Sequence, residues 1–141
     1  MPRRTVGPRL FLLAALAGAV MGGAACGSDN STGNGGGLTA ADLVGSYDLA
    51  SLTLGNSAPL TPPTATGVLV LTDTTYKVDL NLPSGLQTDS GTWAVSGHNW
   101  TQTSSVQPVQ ETGTVQLSHD TLSVNVNVAG TPIANVWVRQ H

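Results

Sequence analysis

At 141 residues the chain has room for one domain with appendages. Only 9% of it is charged while 40% is hydrophobic, which excludes the charge-rich composition of a disordered chain. Its net charge of −3 excludes the basic footprint of a nucleic-acid binder, and 17 Gly with 8 Pro favour turns and tethers over long helices.

The chain opens with Arg3, Arg4 and Arg9 around an uncharged apolar run, residues 10–20. That run is too short to span a bilayer comfortably and has the length of a signal-peptide core. Small residues Gly22, Gly23, Ala24 and Ala25 then lead to Cys26, the only cysteine. The arrangement resembles the lipobox of bacterial lipoproteins, with Ala24, Ala25 and Cys26 on the pattern. Gly23 departs from it, standing where the family carries Leu or another large aliphatic residue. The resemblance implies that residues 1–25 are a removable lipoprotein signal peptide and that Cys26 is lipidated and becomes the new N-terminus. It implies attachment to the bacterial cell envelope through two or three acyl chains, which hold firmly where one does not. Gly27, where an Asp would retain a lipoprotein at the inner membrane of a diderm cell, points to the outer membrane. A plain secretory leader with an incidental cysteine is the alternative.

Residues 26–37 are the acylated Cys and a Gly/Ser/Asn-rich tether, whose composition gives flexible coil reaching roughly 15–20 Å. Beyond the leader the basic residues are Lys77 and Arg139, against eight acids, so adhesion to anionic lipid through a basic patch is excluded. A lipidated Cys26 leaves no cysteine for a disulfide, so the fold must rest on its core.

Residues 38–141 form the domain. Residues 39–44 read as one helical turn, with Thr39 as cap and Asp42 in the first turn. The following elements alternate apolar and polar residues with period two. They are expected at 45–54, 67–72, 75–82, 90–95, 100–104, 110–117, 121–128 and 133–139. Tyr76, Val78, Leu80 and Leu82 share one face of the third; Leu122, Val124, Val126 and Val128 share one face of the seventh. Pro59, Pro62 and Pro63 mark a long first loop, Pro83 and Gly85 another, and Pro108 a third. Sequential antiparallel strands with one apolar face must bury that face in a sandwich or a barrel. Two basic residues cannot guard many open edges, and closure removes edges altogether. The expectation is an all-β, small, eight-stranded, antiparallel up-and-down barrel. One offset carries Gly45 onto Gly91, Gly67 onto Gly113 and Tyr76 onto Leu122, as a duplicated half-barrel or a regular meander would produce.

The stretches Val44 to Leu49, Gly67 to Thr72, Thr75-Tyr76, Asp89 to Trp93, Gly113 to Val115, Asp120 to Leu122 and Val136 to Arg139 resemble the lipocalin-like domains of small bacterial lipoproteins. Gly45-Ser46-Tyr47 is similar to the Gly-x-Trp of lipocalins, with Tyr47 in place of Trp. Arg139 is similar to the arginine that lies over that ring. The resemblance implies a structural latch, Tyr47 with Arg139, closing first strand to last. The domain is shorter than a secreted lipocalin, so a shallower cup is expected.

Chemistry-bearing residues are few. His98 and His119 fall in turns and His141 is last, without the spacing or cysteine company of a zinc site, so no metal is expected. His98 with His119-Asp120 would make at most a weak surface site. No serine sits in a nucleophile elbow, no Gly-rich loop follows a strand, and no carboxylate pair falls in an evident cleft. The chain therefore reads as no enzyme and implies no cofactor. A ligand entering the barrel is expected to meet Trp100 and Trp137 at the rim, with Tyr76 and Trp93 as further candidate contacts. Two functions follow: a lipid-anchored binder of a small apolar ligand, or a side-chain-filled barrel presenting loops such as 56–66 to an envelope protein.

Overall fold

The computed structural model describes residues 36–141; the leader, Cys26 and most of the tether lie outside the described residues. The chain makes one helical turn, α1 (Ala40–Leu43), and then eight strands. These are β1 (Gly45–Leu54), β2 (Thr66–Leu71), β3 (Thr75–Leu82), β4 (Gly85–Ser96), β5 (Asn99–Ser104), β6 (Gln110–Ser118), β7 (Thr121–Val128) and β8 (Thr131–Arg139). Each strand pairs antiparallel with the next, and β8 pairs with β1, so the sheet is a closed up-and-down barrel.

The β1–β8 seam sets what the interior holds. Tyr47 pairs with Arg139 and Leu54 with Ile133, and the register slips between Leu49 and Ser51. The extra residue is a bulge, which re-aims the side chains that follow it. Leu49 and Leu52 therefore both point inward, 4% and 2% exposed, although strict alternation would put them on opposite faces. Pairing of β1 with β2 runs only from Gly45 to Asp48. Beyond it the first loop folds back, and Leu60 and Leu52 exchange backbone hydrogen bonds of 2.8 Å. The loop thereby satisfies a strand edge that would otherwise stand open.

One end of the barrel is plugged. The Asp42 carboxylate accepts hydrogen bonds from the backbone N–H and hydroxyl of Thr39 (2.8 and 2.7 Å), fixing α1. Those bonds, with help from the Arg139 charge, hold the Asp42 carboxyl below its ordinary pKa. Leu43, the last residue of the turn, and Tyr47 on β1 are fully buried. The Tyr47 hydroxyl donates to Leu43 O (2.8 Å) and accepts from Arg139 Nη2 (2.7 Å), which also donates to Asp42 O (2.6 Å). The guanidinium carbon is 5.3 Å from the Tyr47 ring centroid, within cation–π range. Tyr47→Phe removes the shared hydroxyl and orphans a buried carbonyl. It should lower the unfolding free energy by about 1–2 kcal/mol in urea titration, with the slope unchanged.

Behind the plug the lower half is filled. Leu71, Val115 and Leu122 are buried, and Trp93 stacks on Trp100 with centroids 4.9 Å apart and planes at 16°. The Trp93 N–H lies 3.0 Å from both Thr72 O and Thr75 O, tying the β2–β3 turn to the core.

Two sequence expectations need correction. β4 begins at Gly85 rather than Ser90, and Pro83-Ser84 is a tight turn rather than a long loop. The signal failed because the pattern is inverted there: Leu86 points out, 68% exposed, while Gln87 and Asp89 line the interior. The repeated offset is not a half-barrel duplication. It carries β1 onto β4 but β2 onto β6 and β3 onto β7, so no single rotation of the barrel superposes the pairs.

Candidate functional site

The other end of the barrel carries the β1–β2 and β5–β6 loops and the turns after β3 and β7. Inside it is a cavity of about 330 Å³, at the low end of the roughly 300–1,000 Å³ of ligand pockets. Its apolar wall is the inward phase of four elements: Leu69 on β2, Val78 and Leu80 on β3, Val124 and Val126 on β7, Ile133 on β8. The aromatic lining is Tyr76, Trp100 and Trp137. A second space of about 230 Å³ adjoins it through shared Asp89, Glu111 and Val128. It lies against the β5–β6 loop, where Val106 and Val109 are exposed. Together they form an interior and its mouth.

The polar lining comes from the inward phases of β4, β5, β6 and β8 as they approach the mouth. The Trp100 N–H donates to Gln102 Oε1 (2.8 Å), and Gln102 Nε2 donates to Glu111 Oε2 (2.6 Å). Asp89 accepts from the Tyr76 hydroxyl (2.7 Å) and from Ser104 Oγ (2.6 Å). Ser104 Oγ also accepts the backbone N–H groups of Val106 and Gln107 (3.1 and 3.2 Å), so the mouth loop hangs on the cavity's own carboxylate network. Burial, reinforced by the neighbouring Asp89 carboxylate, pushes the Tyr76 phenol far above its ordinary range, so it stays a donor.

Burial also raises the Glu111 carboxyl above its ordinary 4.5, with Asp89 adding to the rise and the Gln102 bond opposing it. A raised folded-state pKa means that the folded protein holds the proton more tightly than the unfolded chain. Stability from this group is fully present below pH 4.5 and is lost as pH rises through the raised value. Glu111→Gln should therefore stabilise the protein at pH 7, by on the order of 0.5 kcal/mol given the carboxyl's solvent contact, and flatten that pH slope. Urea midpoints at pH 4 and pH 7 measure both effects.

The expected ligand contacts are placed as follows. Tyr76, Trp100 and Trp137 line the cavity, and Trp93 does not, lying behind Trp100 in the filled half. Trp100 and Trp137 are 2% and 3% exposed, so they form floor and wall rather than rim. The turn before Trp100 suggested the rim, but the strand points it inward and across. Tyr47 and Arg139 meet at the opposite, plugged end, and Cys26 lies outside the described residues. His98 Nδ1 is 3.1 Å from Val115 O, and His141 Nε2 is 3.2 Å from Asp120. Among the described residues no three His, Cys, Asp or Glu side chains converge.

Sequence reasoning missed Gln87, Asp89, Gln102, Glu111 and Asn135, all of which line the cavity. Their signal was phase. Counting in twos from Trp93, Trp100, Val115 and Trp137 toward the mouth reaches each of them, although their polarity disguises an inward position.

No family model matches the chain, and no curated protein does. Solved structures do. A lipocalin-like protein from Bacteroides uniformis matches 70% of this chain and 99% of its own, at 16% identity and a TM-score of 0.50. An uncharacterized protein from Bacteroides eggerthii matches 69% and 98%, at 11% identity and a TM-score of 0.47. A de novo designed fluorescence-activating β-barrel matches 69% and 93%, at 17% identity and a TM-score of 0.47. The fold is that of a lipocalin-like barrel, plugged at one end and opening at the other.

Proposed function

We propose that the protein binds a small ligand with an apolar body inside the open half of its barrel and does no chemistry of its own. The observation that carries this reading is the cavity of about 330 Å³ walled by Leu69, Val78, Leu80, Val124, Val126 and Ile133. A site of that kind, apolar with a few convergent polar groups, suits ligand capture. It favours a ligand-binding barrel over a side-chain-filled module that works through its loops.

The proposal includes a lipid on Cys26, holding the domain to the bacterial envelope and, in a diderm cell, to the outer membrane. The lipobox-like run before Cys26 supports this. The described chain enters the barrel at the plugged end, where Leu38 N donates to Gly97 O (3.2 Å). A tether from Cys26 therefore joins the domain at the end opposite the cavity mouth.

Titration of the purified protein with the neutral probe N-phenyl-1-naphthylamine tests the site. Saturable enhancement of the probe with matching loss of Trp emission is expected, because Trp100 and Trp137 line the cavity. No saturable signal, together with an empty organic extract of the native protein, would overturn the reading. For the anchor, Cys26→Ala should move the protein from the membrane to the soluble fraction; unchanged partitioning would refute it.

A further inference from the structure

The polar side of the cavity carries only one sign of charge. Asp89 and Glu111 border both the interior and its mouth. Neither space is lined by a Lys, Arg or His. The two cations among the described residues are elsewhere. Lys77 is on the outer surface, 3.1 Å from Asp79, and Arg139 is in the plug.

The donors beside the two carboxylates are already committed. The Trp100 N–H is used by Gln102, a Gln102 N–H by Glu111, and the Tyr76 and Ser104 hydroxyls by Asp89. Every one of these bonds runs toward a carboxylate or toward the amide that serves one. Glu111 Oε1 takes no hydrogen bond among the described residues. Between these carboxylates the site offers an incoming molecule acceptor oxygens and negative charge, beside the aromatic rings of Trp100, Trp137 and Tyr76; the Gln87 and Asn135 amides that also line the cavity are neutral. A carboxylate or phosphate headgroup would meet like charge with no cationic side chain to offset it, only neutral amides. An ammonium group would meet two carboxylates and electron-rich ring faces, the combination that attracts organic cations.

We propose that the ligand is an organic ammonium ion. Its apolar body lies against the aliphatic wall and its cationic nitrogen lies between Asp89 and Glu111, near the mouth. This rests on the ligand-binding reading above and adds the class of ligand.

Three probes with one tail and different heads separate the two claims: octylammonium, 1-octanol and octanoate, titrated below their aggregation limits by calorimetry and Trp emission. Octylammonium should bind about tenfold tighter than octanol, and octanoate at least tenfold weaker than octanol. In Glu111→Gln, and in Asp89→Asn where circular dichroism shows the barrel intact, the preference for octylammonium over octanoate should shrink about tenfold. Octanol binding with no advantage for octylammonium overturns this inference and leaves the ligand site standing. A preference that survives in Glu111→Gln also overturns it, because the charge read would lie elsewhere. If none of the three binds, both claims fall.

Discussion

A single methyl group added at Gly113 is expected to cost the barrel about 3 kcal/mol, near the top of the range for overpacking. Gly113 sits on the inward phase of β6, two positions before the buried Val115. A Cβ built there would lie 1.9 Å from Asn125 O on β7. That atom is backbone in a paired ladder, where Gly113 faces Val126, so it cannot swing aside as a side-chain end could. Gly91 has the same problem two strands away on β4, with Thr103 O of β5 at 2.0 Å. Both residues let strongly coiled neighbouring strands approach closely, which a small closed barrel requires. Urea unfolding of Gly113→Ala and Gly91→Ala should show large losses of stability. Gly36→Ala, with nothing within 4 Å of the added carbon, should be neutral. Alanine variants within about 0.5 kcal/mol of the parent would mean that the strands do not close so tightly.

Trp93→Ala should be equally damaging, at about 3–5 kcal/mol. The indole is 4% exposed, so truncation opens a void in the filled half. It also removes the 4.9 Å stack on Trp100 and the indole N–H that Thr72 O accepts, while Thr75 O keeps its bond from Thr72 N. Trp93→Phe keeps much of the packing and loses the N–H, so it should cost about 1–2 kcal/mol. Comparing the two in urea separates packing from turn anchoring. Because Trp100 leans on Trp93 and also floors the cavity, ligand affinity should fall in Trp93→Ala although Trp93 does not line the cavity.

Strand order and closure were legible because the strands that carry most of the apolar wall obey a simple rule. β3 and β7 alternate cleanly, and their apolar phase points inward throughout, Leu122 into the filled half and Val78, Leu80, Val124 and Val126 onto the cavity wall. Trp137 was unreadable alone, since Val136 and Val138 flank it with equally apolar side chains. The pairing of Leu49 with Trp137 and Asp48 with Val138 at the β1–β8 seam decides it, leaving Trp137 buried and Val138 42% exposed. The bulge in β1 was illegible for a similar reason: Ala50 fits either face, and only the partner strand's register shows the slip. The site was the least legible part. Its polar residues occupy inward positions where the hydrophobic pattern predicts Val or Leu, so Asp89 fell outside the strand expected at 90–95 and Glu111 gave no apolar signal in the one expected at 110–117. The departures from alternation at the upper ends of β4, β5 and β6 are the trace of the cavity itself. Polar side chains can face inward there because they bond one another and meet the open mouth.

The most direct test of a barrel with a filled lower half and a ligand-sized upper half is diffraction from crystals pressurised with xenon, which enters apolar cavities. Xenon density between Val78, Leu80, Val126 and Ile133, with none around Leu71, Val115 and Leu122, is the expected result. Crystals that take up no xenon because side chains fill the upper half would contradict it.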